Sequence, residues 1–241
     1  MADSDSEGRR FDTTRWSLVV AARDHSNPDA RQALETLCRT YWLPIYAYVR
    51  RHGSDSEQAR DLTQGFFCKL LERGFSEASR ERGKFRTFLL TSLKNFLADE
   101  RDRARALKRG GGREPIPLDQ REAERAYALE PAHDDTPERA FERRWARTLL
   151  DRSFERLDRE MAASSQPEGF SRLRPFLTGE ATEGYRDAAL ELGMEESAVR
   201  VAVHRMRRRF GAILREEVAH TIGVASEVDA ELRHLLEVVR S

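Results

Sequence analysis

The segment that decides the fold is YRDAALELGMEESAVRVAVHRMRRRF, residues 185–210. Its second half repeats apolar residues with the three- and four-residue spacing of one α-helical face. These residues are Val199, Ala202, Val203, Met206 and Phe210. The basic residues lie on another face, so the helix would pack one side on a core and expose cations that suit a polyanion. A solvated surface helix is the simpler interpretation, but such faces usually mix both signs of charge.

A shorter helix precedes the basic one, and Gly193 separates the two. Its apolar face consists of Tyr185, Ala188, Ala189 and Leu192. The glycine stands where the chain must turn, which often needs a positive φ, and Met194 is predicted to fill the core at that corner. Small alanines permit close helix crossing. The pattern predicts a helix-turn-helix whose second helix enters the major groove of DNA, against the alternative of a plain helical hairpin.

Within the second helix, early residues would approach base edges and later ones would contact phosphates. The base-edge candidates are Glu196, Ser197, Arg200 and His204. The phosphate candidates are Arg205, Arg207, Arg208 and Arg209. Each arginine has a competing interpretation as a solvated side chain or as a partner of Glu216 or Glu217.

The charges are sorted along the chain although they cancel overall. The 241 residues carry 42 Lys and Arg and 42 Asp and Glu. Residues 80–113 hold 11 basic and 4 acidic residues, a net of +7, and residues 200–215 hold 6 and 0, a net of +6. Between them, residues 114–142 hold 3 and 9, a net of −6. Local fields rather than net charge therefore determine the partners.

The composition excludes several classes of protein. Cys38 and Cys68 both fall in apolar helical patterns, which favours buried free thiols over a zinc site or a disulfide. The N-terminus is unlike a signal peptide, and no apolar run approaches the ~20 residues of a membrane span. Without a nucleophile–base pair, a metal cluster or a phosphate loop, the sequence predicts a cytoplasmic, non-enzymatic protein with no metal, no cofactor and no membrane partner.

Strand alternation is absent, so the predicted fold class is all-α, with two helical domains joined by an acidic linker. The run GGGREPIPLDQ, residues 110–120, cannot continue a helix and marks the boundary. The predicted division is a disordered N-terminus at 1–12, a helical domain at 13–110, the linker at 111–137, a second helical domain at 138–221 and a helical tail at 222–241. The tail is interpreted either as a regulatory helix or as a cap on the last bundle.

Predicted helices cover about 15–23, a long segment ending at about 51, 54–73, 84–109 and 138–162. Pro44 is expected to kink or divide the second of these, and Ser54 or Asp55 is expected to cap the third. The segment GKFRTFLLTSLKNFLADERDRARALKRGGG, residues 83–112, mixes aromatic and basic residues. Its phenylalanines are interpreted as core. The cations left for the surface, where they would suit single-stranded nucleic acid or an opened duplex, are Lys84, Arg86, Lys94, Arg101, Arg103 and Arg105.

Taken together, the two basic units resemble a bacterial RNA polymerase sigma factor of the extracytoplasmic-function (ECF) type. Four stretches in this order carry the resemblance: LCRTYWLPIYAYVRRHG, SEQARDLTQGFFCKLLERG, GKFRTFLLTSLKNFLADERDRAR and YRDAALELGMEESAVRVAVHRMRRRF. They are similar to the first helix of sigma region 2, the polymerase-binding helix, the helix that melts and reads the −10 element, and the region 4 helix-turn-helix that reads the −35 element.

The resemblance implies partners and site residues. The partners are core RNA polymerase, through its β′ clamp and β flap, and promoter DNA; whether an anti-sigma factor restrains the protein is left open. Polymerase-binding residues would be Asp61, Gln64, Phe67 and Leu70. Residues at the −10 element would be Lys84, Arg86, Lys94, Asn95, Asp99 and Arg101, with loop 75–83 beside a flipped base. Residues at the −35 element would be Glu196, Ser197, Arg200, His204, Arg205, Arg207 and Arg208.

The sequence departs from the family pattern in four places. Gly65 stands where an acid usually follows the glutamine, Glu195 where a Ser or Thr cap is usual, and Ala202 where Arg or Lys is common. The linker is also longer than in minimal members. Two other functions stay open: a stand-alone helix-turn-helix regulator that binds palindromic DNA without polymerase, and a helical adaptor whose basic helices dock on acidic proteins.

Overall fold

The computed structural model describes residues 28–73, 84–106, 136–163, 167–179, 181, 183–222 and 225–240. Within these ranges the chain forms eight α-helices and one short 3-10 helix, and no β-strand. The helices are α1 (Pro28–Arg51), α2 (Ser56–Arg73), α3 (Phe85–Ala106), α4 (Pro137–Ala162), α5 (Pro167–Thr178), α6 (Tyr185–Leu192), α7 (Glu196–Ala219) and α8 (Val228–Arg240). The prediction of an all-α fold is confirmed for this part of the chain. The segments 1–12, 15–23 and 111–135 lie outside the described residues.

The chain contacts define two compact units, Met1–Thr148 with Val218–Ser241, and Leu149–Glu217. The division falls inside α4 and inside α7, which differs from the predicted division at residues 110 and 138. The first half of α4 belongs to the first unit because its Phe141 ring stacks on Tyr41, with 6.4 Å between centroids. Helix α8 also belongs to the first unit.

The first unit is built around aromatic side chains from α1, α2, α3 and α4. The Tyr41 ring meets Phe85 edge-on at 5.3 Å, and Phe66 meets Phe96 edge-on at 5.7 Å. Trp145 of α4 is fully buried in the same unit. Burying one such ring stabilises the fold by about 1.5–3 kcal/mol, and edge-on pairing adds roughly 0.5–1.5 kcal/mol. The predicted core role of these phenylalanines is confirmed.

The turn between α1 and α2 follows from three residues. Gly53 has φ 102°, a left-handed conformation that ends α1. The Asp55 Oδ1 atom accepts a hydrogen bond of 2.8 Å from the Gln58 backbone N–H, which confirms Asp55 as the cap of α2. The expected division of the preceding helix does not occur, because α1 runs through the buried Pro44.

The second unit packs α5, α6, α7 and the second half of α4 around one apolar cluster. The buried members are Leu157, Leu173, Phe176, Ala188, Ala189, Val199, Val203, Met206 and Ile213. Gly193 joins α6 to α7 with φ 61° and ψ 32°, as predicted. The prediction for Met194 was wrong: its backbone N–H bonds to Ala189 O at 2.9 Å, but its side chain is exposed. The turn places this side chain outside the cluster.

Helix α5 was missed in the sequence. Pro175 lies inside it, and a proline normally argues against a helix interior. The helix ends at Thr178, so Pro175 interrupts only its last turns. Leu173 and Phe176 of α5 are buried, and the Phe176 ring stacks on Tyr185 of α6 at 4.8 Å. This short helix therefore closes one side of the core that supports α7.

Candidate nucleic-acid and polymerase interfaces

The outer face of α7 carries the residues predicted to bind DNA. Ser197, Arg200, His204, Arg205, Arg207 and Arg208 are exposed, and Glu196 is half-buried. The same helix buries Val199, Val203 and Met206 in the core of the second unit. The predicted separation of an apolar and a basic face is confirmed. A rigid helix backed by a core can present its cations in a fixed geometry.

The cations of α7 fall into two groups by their partners. Within the described residues, His204, Arg205 and Arg208 make no ion pair or side-chain hydrogen bond. Arg207 instead donates to the backbone oxygen of Phe176 at 2.8 Å. Arg209 binds both oxygens of Glu160, at 2.6 and 2.7 Å. The hydrogen bond from Arg209 lowers the pKa of the Glu160 carboxyl and raises that of the guanidinium. Arg209 therefore holds α7 to α4, which argues against its predicted phosphate contact.

At the start of α7, Arg200 is oriented by two neighbours. Its Nη2 atom lies 2.6 Å from Glu196 Oε1, one helical turn away, and its guanidinium lies 4.8 Å from the centre of the Tyr185 ring. Both contacts are local and solvent-exposed, so they fix the direction of the side chain more than they stabilise the fold. A guanidinium oriented in this way is suited to bidentate contact with guanine.

Val201 lies on the exposed face of α7, and sequence analysis did not single it out. Its side chain is 49% exposed, whereas that of Val203, two residues later, is buried. The apolar residues at helical spacing were assigned to the core, and Val201 falls outside the stripe that includes Val199, Val203 and Met206. That offset from the stripe was the signal in the sequence. A valine here can contact a thymine methyl group.

The start of α3 differs from its prediction. Arg86 was expected on the surface, but it is 8% exposed. Its Nε atom donates to Glu231 Oε1 of α8 at 2.6 Å, and its Nη1 atom pairs with Glu142 of α4. The Lys84 Nζ atom lies 2.5 Å from Glu231 Oε2. Arg86 is buried because two carboxylates far away in the sequence neutralise it, which no local pattern reveals.

These contacts set the protonation of the cluster. Burial alone would lower the pKa of Arg86, but the hydrogen bonds and charges of Glu231 and then Glu142 raise it. Burial alone would raise the pKa of Glu231, but hydrogen bonds from Arg86 and Lys84 lower it. At neutral pH the cluster therefore holds charged partners, as a buried ion pair requires.

Farther along α3, the predicted −10 residues are exposed. Lys94 Nζ lies 2.8 Å from Glu138 Oε1, and this hydrogen bond lowers the pKa of Glu138. Asp99 Oδ2 lies 2.7 Å from Lys69 Nζ of α2. Arg101 is exposed and donates to Leu97 O at 3.3 Å. Asn95 is exposed too, so Lys94, Asn95, Asp99 and Arg101 all lie on the accessible side of α3.

The predicted polymerase-binding residues of α2 differ in their exposure. Asp61 is exposed and Leu70 is half-buried. Gln64 and Phe67 are buried, and the Phe67 ring stacks on Trp42 of α1 at 5.7 Å. Both side chains are largely buried within the first unit, and their contact with polymerase stays a prediction.

Gly65 has a structural reason for lacking a side chain. A Cβ atom at this position would lie 3.3 Å from Phe96 Cζ, closer than ordinary van der Waals contact. The glycine lets the Phe96 ring pack against α2. Gly65, which departs from the family pattern, thus leaves room for an aromatic ring of the core.

Other kinds of site find no support in the described residues. They contain no group of three or more His, Cys, Asp or Glu side chains that could hold a metal ion. None of the described helices combines the length and apolar character needed to cross a membrane. Cys38 and Cys68 are both half-buried free thiols.

Part of the first unit is similar to a known protein family. Residues 37–107 match the family model described as Sigma-70 region 2. No curated protein and no solved structure matches the chain. The matched segment contains α2, α3 and the second half of α1, and with them every residue predicted to contact polymerase or the −10 element. The match covers less than a third of the chain and lies wholly within the first unit.

Proposed function

We propose that this chain is a sigma factor of the ECF type that directs core RNA polymerase to promoters with −10 and −35 elements. The observation that carries the proposal is the match of residues 37–107 to sigma-70 region 2. Helix α2 would bind the β′ clamp, and the exposed side of α3 would contact the −10 element as the strands open.

The second unit is the proposed reader of the −35 element. Helices α6 and α7 are joined at Gly193 by a short turn, in the arrangement of a helix-turn-helix. Arg200 is oriented by Glu196 and Tyr185 toward solvent. Arg205 and Arg208 are exposed farther along α7, where they would contact phosphates. In this proposal the unit also binds the β flap of polymerase.

The proposed role is non-enzymatic and belongs to the bacterial cytoplasm, where polymerase and promoter DNA are found. It needs no metal or cofactor, because the chemistry of transcription resides in the polymerase. Whether an anti-sigma factor restrains the protein stays open.

A stand-alone DNA-binding regulator is the second candidate. The observation in its favour is that the second unit has its own core and lies outside the sigma-70 match. This candidate predicts sequence-specific DNA binding by the purified chain without polymerase. The sigma proposal predicts that promoter recognition depends on core polymerase.

Asp61 gives a direct test of polymerase binding, because it is exposed on α2. The variant Asp61→Arg should weaken co-elution of the full chain with core polymerase, since it reverses a charge at the proposed clamp contact. Glu155→Arg is the matched control, because Glu155 is exposed on α4 and changes charge by the same amount. Equal co-elution of both variants would contradict the assignment of α2. Absence of co-elution even for the unmodified chain would overturn the sigma proposal.

A further inference from the structure

Helix α8 places a carboxylate on the residues at the start of α3. Glu231 is 1% exposed, and its two oxygens contact Lys84 Nζ at 2.5 Å and Arg86 Nε at 2.6 Å. These partners lie about 145 positions earlier in the chain. Glu231 of α8 therefore binds Lys84 and Arg86, which precede the exposed −10 residues of α3.

The contact leaves Arg86 unable to bind anything else. Its Nη2 atom also donates to Glu231, to Oε2 at 3.4 Å, and its Nη1 atom pairs with Glu142. The guanidinium lies 5.2 Å from the centre of the Trp145 ring. On the far side of the cluster, His234 Nε2 of α8 lies 3.2 Å from Glu142 Oε2, without the alignment of a hydrogen bond. Lys84 is partly exposed. A DNA phosphate could lie between these two cations only if Glu231 left them.

A carboxylate held by a lysine and an arginine has the chemistry of a bound phosphate: an anion that accepts charge-assisted hydrogen bonds from two cations. A permanently packed helix gains little from such a pair, because desolvation offsets much of the attraction and apolar residues of similar size often serve as well. When the helix undocks, however, Glu231 and Lys84 are readily hydrated. The buried pair therefore suits a contact that opens.

We propose that α8 is an intramolecular competitor for promoter DNA, with Glu231 standing in the place of a DNA phosphate beside Lys84 and Arg86. This inference rests on the proposed function, which assigns α3 to the −10 element. The described arrangement is then the closed form. Promoter DNA binds the open form better and displaces α8, and the free energy of docking is subtracted from that of DNA binding.

The variant Glu231→Gln tests the competition. It keeps the size of the side chain and removes its charge, so the full chain bound to core polymerase should bind promoter DNA about tenfold more tightly, as an intramolecular coupling of ordinary size predicts. Glu237→Gln, an exposed glutamate on the same helix, is the matched control and should leave the affinity unchanged. A merely structural role for Glu231 predicts unchanged or weaker binding.

Hydrogen exchange on the unmodified chain provides a second measurement that needs no variant. The amides of α8, residues 228–240, should be protected in the polymerase complex and lose protection when promoter DNA is added. Support requires both results; protection that persists, or equal affinities for the two variants, overturns the inference while leaving the sigma proposal intact. Failure of the unmodified chain to bind polymerase or promoter DNA would overturn both.

Discussion

The basic residues of α3 and α7 look alike in the sequence but differ in the structure. At the start of α3, Lys84 and Arg86 share Glu231 of a distant helix, and Lys94 pairs with Glu138. On the outer face of α7, Arg205 and Arg208 are exposed and make no ion pair within the described residues. Arg205 and Arg208 are therefore available to a ligand, whereas Lys84 and Arg86 already bind a carboxylate supplied by the chain.

The difference shows that local charge density alone does not identify a binding surface. A net of +7 and a net of +6 made both segments candidates for nucleic acid. The partners of Lys84 and Arg86 are Glu142 and Glu231, which lie 56 to 147 residues away in the chain. Only the fold brings them together, and it converts part of one basic surface into an internal contact.

The largest expected effect comes from breaking the pairing on α3. Arg86→Ala leaves Glu231 buried with one cation fewer and removes the partner of Glu142, so it should lower the free energy of unfolding by about 3–5 kcal/mol. Urea denaturation of the full chain measures this. The matched exposed change, Arg205→Ala, should stay within about 0.5 kcal/mol of the unmodified chain. Equal stabilities for the two variants would show that the α3 pairs contribute nothing.

The next largest effect is on promoter affinity, to which the cations of α7 should contribute more than those at the start of α3. The double variant Arg205→Ala/Arg208→Ala should weaken promoter binding by the polymerase complex roughly 100-fold, since each hydrogen bond to a charged phosphate contributes about 1.5–3 kcal/mol. The slope of log affinity against log salt should fall by about 2, as for two lost phosphate contacts.

Arg159→Ala is the control for this measurement, because Arg159 is an exposed arginine on α4 of the same unit. It should leave both the affinity and the salt slope unchanged. A loss as large as that of the double variant would mean that charge in general, rather than the face of α7, attracts the DNA.

The free energy of unfolding at acid pH should depend on the ionisation of Glu231. Its pKa lies below the ordinary 4.5 because Arg86 and Lys84 hold its charged form against the effect of burial. The stabilisation is complete above pH 4.5 and is lost as the pH falls through the lower folded-state pKa. Glu142 and His234 lie beside the same cluster.

Unfolding of the unmodified chain and Glu231→Gln should therefore differ most at neutral pH and converge in acid. Glu160→Gln should show a smaller difference at neutral pH, because Glu160 and its partner Arg209 are partly exposed to solvent. A gap for Glu231→Gln that stays constant down to pH 3 would contradict the pairing.

The smallest expected effect separates the two faces of α7. Val201→Ala should weaken promoter binding by roughly 1 kcal/mol, the value of burying about half a valine side chain, with no change in stability. Val203→Ala, on the buried face, should instead lower the free energy of unfolding by about 1–3 kcal/mol. Equal promoter affinities for Val201→Ala and the unmodified chain would remove Val201 from the DNA surface.

Sequence patterns predicted the features that depend on neighbours along the chain. The spacing of Val199, Val203 and Met206 placed the buried face of α7, and Gly193 has the predicted positive φ. Asp55 caps α2. Each of these is settled within one or two helical turns, where helical periodicity and backbone sterics act.

Features that depend on distant partners were not predicted. Arg86 was assigned to the surface because nothing near it in the sequence neutralises its charge, yet Glu142 and Glu231 do so in the fold. The stacking of the Phe67 ring on Trp42 of the preceding helix was likewise not predicted. The division of α4 between two units was missed because one continuous helix carries no mark of where its packing changes.

Run-off transcription with purified core polymerase and a library of genomic promoters, with and without the full chain, tests the central claim most directly. If the chain is a sigma factor, specific transcripts will appear only in its presence, and their upstream DNA will share −35 and −10 elements. Transcripts that do not depend on the chain, or sequence-specific DNA binding with no effect on polymerase, would contradict it.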